Sequence, residues 1–589
     1  MGSENHNNPI FTLGKNMINN KYSMQMLSAL ALSLIAGSAF AMSKAPSVLE
    51  TDIVFTNSTL DTLQVELSGD ASAIQQAYQV APLATATLAK LSRQTGGSSA
   101  LNIRLSNNDY QINLSQQTEG TDLTFGAHTD DLNIAPQDNS EIQRHTTQLA
   151  GDSNTLAFNA SNLSDGGQLT YVLQEDDKKP ALGSANQFNV LSYNIWATTI
   201  FGSKKVDTRL DEMPAIMAGY DALVLTEVFD DIATASLLKK LRAEYPYQSS
   251  EIFKAGKIMK SGTRILSRWP FVLEDNFIYN PCNGIQCAAT RGVIHARINK
   301  QGNPYHLFAT HTQSSDDDAN RAARLGQLNE MGEYIRSLNI PADEAVIMAG
   351  DFNVNKIGLP EDRDYLEAVL TATEPTNTGH NLTYDGQTNT WAEAVYSEYL
   401  DYTLVANDHL QPTFAEQEIF APRSTKDALW GEWDISDHYA ARGIFTYPSA
   451  VQPQRSAFPF MGDVVHFKTA NGHYMRSMSG GNSFISAGSD YVGTWESYTF
   501  EDQGNDKVAI RAFDGHYVAL DSYLVGTLKA TAESVTNAAL FTLVGLGNNK
   551  LAIQANNGRY LRADFGGNAG LSAASSEIGT NQTFTLIRN

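Results

Sequence analysis

Ala345-Val346-Ile347-Met348-Ala349-Gly350-Asp351-Phe352-Asn353 is an apolar run that ends in a glycine, an aspartate and an asparagine. A short Val/Ile-rich run with no polar alternation reads as a strand buried on both faces, which requires cover on each side and places it in a layered α/β domain. Such domains present their chemistry at strand ends. The same pattern recurs along the chain: Val190-Leu191-Ser192-Tyr193 leads into Asn194, Leu223-Val224-Leu225-Thr226 leads into Glu227, and Ser436-Asp437-His438 closes the series. An amide, a glutamate, an Asp-x-Asn pair and an Asp-His pair at such ends make a site for a hard, oxygen-preferring cation and a phosphate. Strand and helix signals are interspersed from 186 to 447. Leu325, Leu328, Met331, Ile335 and Leu338 fall three or four residues apart, which predicts a helix with one buried face between the strands ending at His311 and Gly350.

The flanks read differently. Residues 42–180 alternate apolar and polar residues, as in Leu101-Asn102-Ile103-Arg104-Leu105 and Tyr110-Gln111-Ile112-Asn113-Leu114 around Asn107-Asn108-Asp109, which predicts a hairpin within a small antiparallel β sandwich. Asp176-Asp177-Lys178-Lys179-Pro180 is a polar linker, and Pro448, Pro453 and Pro459 mark a second. Beyond it, in 460–589, Gly472-His473-Tyr474, Gly515-His516-Tyr517 and Gly558-Arg559-Tyr560 recur every 43 residues. Three β repeats too small to bury separate cores must share one. This segment resembles a β-trefoil of the fascin and ricin-lectin type. Trefoils of that kind bind glycans, so a glycan ligand is one expectation for it; a packing role for the recurring Gly-His-Tyr is the other.

The formal charge of −23 over 589 residues argues against a protein that grips a polyanion, so no nucleic-acid partner is expected. Lys21, the apolar stretch Met24–Ala36 and Ala39-Phe40-Ala41 have the layout of a secretory leader over residues 1–41, which predicts export to the periplasm or outside the cell. The two cysteines, Cys282 and Cys287, flank an Asn-Gly turn. In an oxidising compartment the expectation is a local disulfide, with a pair of free thiols as the alternative.

The ordered set Asn194, Glu227, Thr310-His311-Thr312-Gln313, Gly350-Asp351-Phe352-Asn353, Leu400-Asp401-Tyr402 and Ser436-Asp437-His438 resembles the endonuclease/exonuclease/phosphatase superfamily, and within it the bacterial neutral sphingomyelinases. The resemblance covers under half of the chain. It implies a four-layer α/β sandwich and a monomeric, Mg²⁺-dependent phosphodiesterase that uses one or two divalent ions, splits sphingomyelin into ceramide and phosphocholine, and works at a sphingomyelin-containing membrane. It also implies roles: Glu227, Asn194 and Asp437 toward the metal, His438 as general base with Asp401 behind it, His311 and Asn353 as donors to the phosphoryl group, and Asp351 orienting water, metal or Asn353. Trp430 and Trp433, in Ala428-Leu429-Trp430-Gly431-Glu432-Trp433, stand where such enzymes carry an exposed aromatic hairpin that contacts the bilayer; two rings in the domain core is the competing expectation. Thr290-Arg291-Gly292-Val293 departs from the family in having arginine for lysine. The rival functions are a secreted nuclease of the same fold and a glycan-binding adhesin with a secondary hydrolase.

Overall fold

In the computed structural model, the residues described are 48–589 except 181, 199–201, 270, 449–463, 505–506, 523–524, 548, 568 and 589. The expected leader lies outside them. Among the described residues no helix is long and apolar enough to cross a membrane.

Two sheets form the centre of the 187–446 region. One runs Tyr247–Gln248, Arg264–Ser267, Ala222–Val228, Gln187–Ala197, Ala440–Thr446, Phe414–Phe420, Thr376–Gly379; the other runs Phe271–Ile278, Gly292–Lys300, Asn303–His311, Ala345–Asp351, Asp401–Ala406, Ala372–Thr373. Strand alternation divides their side chains. Ala345, Ile347 and Ala349 point into an apolar layer between the sheets that also takes Val190, Val224, Ile294 and Leu307. Val346 and Met348 point the other way, onto Leu328, Met331 and Ile335 of the helix Asp318–Ser337, and Leu366 of the helix Pro360–Leu370. On the opposite side Leu191, Tyr193, Leu223 and Leu225 pack with Leu210 and Met213 of Val206–Met217 and Leu237 of Asp231–Leu241. The order is helix, sheet, sheet, helix. Continuous Val/Ile/Leu runs are what strands in two apolar layers require.

Residues 48–175 form two six-stranded sheets, among the described residues, with one core between them. The sequence-predicted hairpin is present: Leu105 pairs with Ile112 and Ile103 with Leu114. Residues 464–588 form, among the described residues, a closed, twelve-stranded β unit around Phe467, Phe500, Phe541 and Phe584. Tyr474, Tyr517 and Tyr560 each open the equivalent strand of a repeat. The side chains of the repeated segments bond within the repeats: His473 Nδ1 lies 2.6 Å from Asp490, His516 Nδ1 lies 2.8 Å from Asp514, and Arg559 donates to the Ala574 carbonyl. This unit meets the 187–446 region along the first half of the strand Phe271–Ile278, where Asn549 accepts from the Glu274 amide and Gly547 abuts Tyr247 and Phe271.

Trp430 and Trp433 do not form an exposed hairpin. Asp427–Leu429 is a single 3₁₀ turn, and Trp433, 6% exposed, packs with Trp430 against Ala157 and Val172 on the outer face of the N-terminal sandwich. The indoles meet edge to face at 5.0 Å. Ala157 and Val172 of the sandwich cover rings that would otherwise face water, and burying such rings is favourable.

Candidate active site

The geometry follows from register. His311 pairs with Asp351 across parallel strands, and Asp351 pairs with Asp401 across antiparallel ones, so the three stand in one row on the inner face of their sheet. Asn194 continues the parity of Phe188 and Val190 and faces the same inter-sheet space from the opposite sheet. Glu227 is the exception. The alternation of Ala222 and Val224 would aim it at the helix layer, but its φ of 59° breaks the extended run and turns the carboxylate into the cleft. Trp196 (φ 46°) and Asn353 (φ 49°) are also left-handed, and Gly350 (φ 141°) has no room for a Cβ, which would sit 2.0 Å from the Thr310 carbonyl oxygen. Left-handed non-glycine residues cost of order 1–2 kcal/mol each, and they cluster where function fixes the backbone.

These residues meet in a cleft of about 550 Å³ whose lining includes Glu227, Arg291, His311, Asp351, Asn353, Asp437 and His438. His438 Nδ1 lies 2.8 Å from Asp401 Oδ2, and the Asp401 amide donates to Thr383 Oγ1. Asp351 is shared: Oδ2 accepts from Asn194 Nδ2 at 3.1 Å and lies 3.5 Å from His311 Nε2, while Oδ1 accepts from the Asn353 amide at 2.9 Å. Asn353 Nδ2 donates to the Thr312 carbonyl at 3.3 Å. Ser436 Oγ donates to the Asn194 carbonyl at 2.7 Å, tying the Ser-Asp-His turn to the first strand, and Arg209 bridges the carbonyls of Ile195 and Ile435. The eight residues assigned by the sequence to the metal or to catalysis therefore gather at one place. Cys282 and Cys287 are bonded, and Gln286 between them bonds Ser314 and accepts from Arg291, so the bridged loop forms one wall.

Arg291 was read in the sequence only as a subfamily marker. It is buried, donates to the His311 carbonyl at 3.2 Å, and its Nε has no hydrogen-bond partner among the described residues. Its one sequence signal was a lone cation beside an otherwise acidic and neutral set. Tyr384, whose ring meets the His438 imidazole at 5.1 Å, and Tyr396, Glu393 and Glu398 at the cleft were also unforeseen.

The charges are out of balance. Burial and the neighbouring Asp401 push Asp351 up to about 7, burial and Glu227 push Asp437 up to about 7, and burial followed by repulsion from Asp351 raises Glu227. Burial, with Arg291 and His438 nearby, holds His311 neutral, well below its ordinary value. His438 runs the other way: burial opposes its charge, but Asp401, Asp437 and Asp351 outweigh burial and lift it well above the usual histidine range. Converging buried carboxylates of this kind fit a divalent cation, which supplies the missing positive charge. Asp351, Asp401 and His438 offer donor atoms within 4.8 Å of one another. Within that trio His438 Nδ1 is already committed to Asp401 Oδ2, while Asp351 Oδ2 takes its hydrogen bond from Asn194 Nδ2 and Asn194 Oδ1 accepts from the Trp196 amide.

The sequence profile of the endonuclease/exonuclease/phosphatase family matches residues 187–438, and that of the fascin domain matches 498–586. Sphingomyelinase C 2 of Leptospira interrogans is 30% identical over 344 residues, 52% of this chain and 54% of the relative, so the chain spans about half of that protein's length. Sphingomyelinase C of Bacillus cereus is 30% identical over 291 residues, 43% of this chain and 87% of the relative. Among solved structures, sphingomyelinase C from Streptomyces griseocarneus is 26% identical, covers 44% of this chain and 99% of its own, and has a TM-score of 0.41. With the ordered residues gathered in one cleft and most of the Bacillus protein's length matched, the chain belongs to the endonuclease/exonuclease/phosphatase family, in its sphingomyelinase C branch.

Proposed function

We propose that this chain is an exported, Mg²⁺-dependent phosphodiesterase that hydrolyses sphingomyelin to ceramide and phosphocholine. The observation that carries the reading is the meeting, in one cleft, of the Asp401–His438 pair with the buried oxygen donors Glu227, Asp351 and Asn194 and the cation Arg291. A bound cation would offset Asp437 and Asp351, two of the carboxylates that lift His438, and so leave Nε2 unprotonated and able to take a proton from the attacking water. Asp401 holds the Nδ1–H tautomer and stabilises the imidazolium that forms. Neutral His311, the Asn353 amide and Arg291 donate toward the phosphoryl oxygens as charge builds there, the kind of preorganised stabilisation that is worth ~3 kcal/mol per donor. Glu227, Asp351 and Asn194 would hold the cation, with Asp437 beside them, and the cation would supply charge neutralisation for the carboxylates and for the phosphate. Tyr384, Tyr396, Glu393 and Glu398 line the same cleft with ring faces and carboxylates, which suit a quaternary ammonium headgroup and repel a polyanion.

Phosphocholine release from sphingomyelin liposomes, measured beside plasmid DNA cleavage with and without Mg²⁺, tests the reading. Release that needs Mg²⁺, with intact DNA, is the expected result; DNA cleavage without phosphocholine release would replace it with the nuclease reading.

A further inference from the structure

We propose that the N-terminal sandwich is a positioning module for the histidine of the active site, acting through the segment 423–434. The proposal rests on His438 as the base. Among the described residues, the side-chain hydrogen bonds between residues 48–176 and the catalytic region end on Arg423, Thr425 and Asp427. Arg144 donates to Thr425 and pairs with Asp427 Oδ1 at 2.7 Å, Gln174 Nε2 donates to the Arg423 carbonyl at 2.9 Å, and Arg423 Nη1 donates to Ser58 Oγ at 3.2 Å. The apolar contact falls on the same segment, as Trp433 lies on Ala157 and Val172. Leu83, held at φ 57° and 3% exposed, reaches from the sandwich into the helix-side core that contains Tyr402 and Tyr439. A strained, buried leucine persists only where its surroundings over-determine it.

The segment is closed at its base, where Ser424 N donates to the Trp433 carbonyl and Ile435 N to that of Pro422. Inside that closure Arg423 Nε meets Asp434 Oδ1 at 2.8 Å, with both side chains buried. Asp434 Oδ2 accepts from the Thr390 amide and hydroxyl, its carbonyl accepts from Trp391 Nε1, and Arg423 also donates to the Thr388 carbonyl. The loop 383–391 so fixed touches both halves of the reacting pair. Asn389 donates to the Ser436 carbonyl and Thr383 O accepts from the Tyr439 amide, on either side of His438, while Thr383 Oγ1 accepts from the Asp401 amide. The sandwich therefore anchors a loop four residues from His438, and that loop's buried ion pair sets the distance between His438 and Asp401. Reacting groups misplaced by about 1 Å lose ~10²-fold in rate.

The test removes contacts on the sandwich side only, with Arg144→Ala and Gln174→Ala combined; both side chains are partly exposed and remote from the cleft. Two readouts are taken on the full chain. Hydrogen exchange of peptides covering 434–441 should rise, while that of 345–351 stays as in the parent. Turnover of p-nitrophenylphosphorylcholine with Mg²⁺ should lose about tenfold in kcat with KM within about twofold, and Arg144→Lys, which keeps a cation by Asp427, should recover most of it. Unchanged exchange at 434–441, or a loss that falls on KM with kcat intact, overturns the proposal. The exchange arm needs no substrate, so it stands or falls even if choline esters prove to be the wrong substrate; a fully active His438→Ala variant would instead remove the base assignment and the proposal with it.

Discussion

Replacing Asp401 with asparagine isolates one charge. The carboxylate is buried, lies 2.8 Å from His438 Nδ1, and is followed in the row by Asp351 and His311. Asparagine keeps the size and can keep the Thr383 contact through its own amide N–H, so the fold should survive. What goes is the attraction between the imidazolium that forms during reaction and a full negative charge. With charge centres ~4 Å apart and an effective dielectric constant of ~20, that attraction is about 4 kcal/mol, or roughly 10³ in rate at 1.36 kcal/mol per decade. The amide can also turn its NH₂ to Nδ1 and favour the wrong tautomer, which adds to the loss. Steady-state release of p-nitrophenol from p-nitrophenylphosphorylcholine at saturating Mg²⁺ measures it, with circular dichroism and the unfolding midpoint taken in parallel. The expected outcome is kcat lower by 10²–10⁴-fold with an unfolding midpoint close to the parent's. A rate within fivefold of the parent would show that Asp401 is a structural carboxylate and that the base works without it.

Exhaustive chelation should abolish turnover and added Mg²⁺ restore it; activity that survives chelation would remove the metal role of Glu227, Asp351 and Asn194. Trp433→Ala should cost ~3 kcal/mol in chemical denaturation, the scale of emptying a buried indole site, and should lower activity on vesicles and on soluble substrate alike, whereas a selective loss on vesicles would return the rings to a bilayer role. Stability should also fall with acid through His306, which sits inside a buried network with His295 and Glu344 and is lowered by burial to about 4. The unfolded chain then binds the extra proton between about pH 6.5 and 4, so stability present at neutral pH is lost across that window, by ~3 kcal/mol at its acid end. Urea midpoints at pH 7 and 4.5 measure it, and a His306→Gln variant with the same acid slope as the parent would contradict the assignment.

The layered fold was legible because runs such as Ala345–Met348 have no polar face, and only strands between two apolar layers tolerate that. The site was legible for the same reason: residues that end such runs with even parity face the space between the sheets, as Asn194 does. Glu227 could be placed by its motif but not by its backbone, since a left-handed φ leaves no mark in composition. For Trp430 and Trp433 the sequence offers a bilayer or the core of their own domain, and nothing local to the two rings announces a third surface, the outer face of the sandwich at Ala157 and Val172. Arg291 was visible as a residue but not as a neighbour of Glu227 and Asp351, because the strand Gly292–Lys300 pairs with Asn303–His311 in a register that no local pattern announces.

The C-terminal β unit touches the catalytic region in the first half of the strand Phe271–Ile278, and that strand ends beside the disulfide loop of the cleft. From Glu274, the contact furthest along the strand, four residue steps at ~3.3 Å reach Ile278, a span of roughly 13 Å. Mutation and recombination can thus rework the C-terminal appendage, down to swapping its surface for another, with the reacting end left undisturbed. The N-terminal partner enjoys no such freedom, because its edits land beside the imidazole, and the two appendages should drift at different speeds.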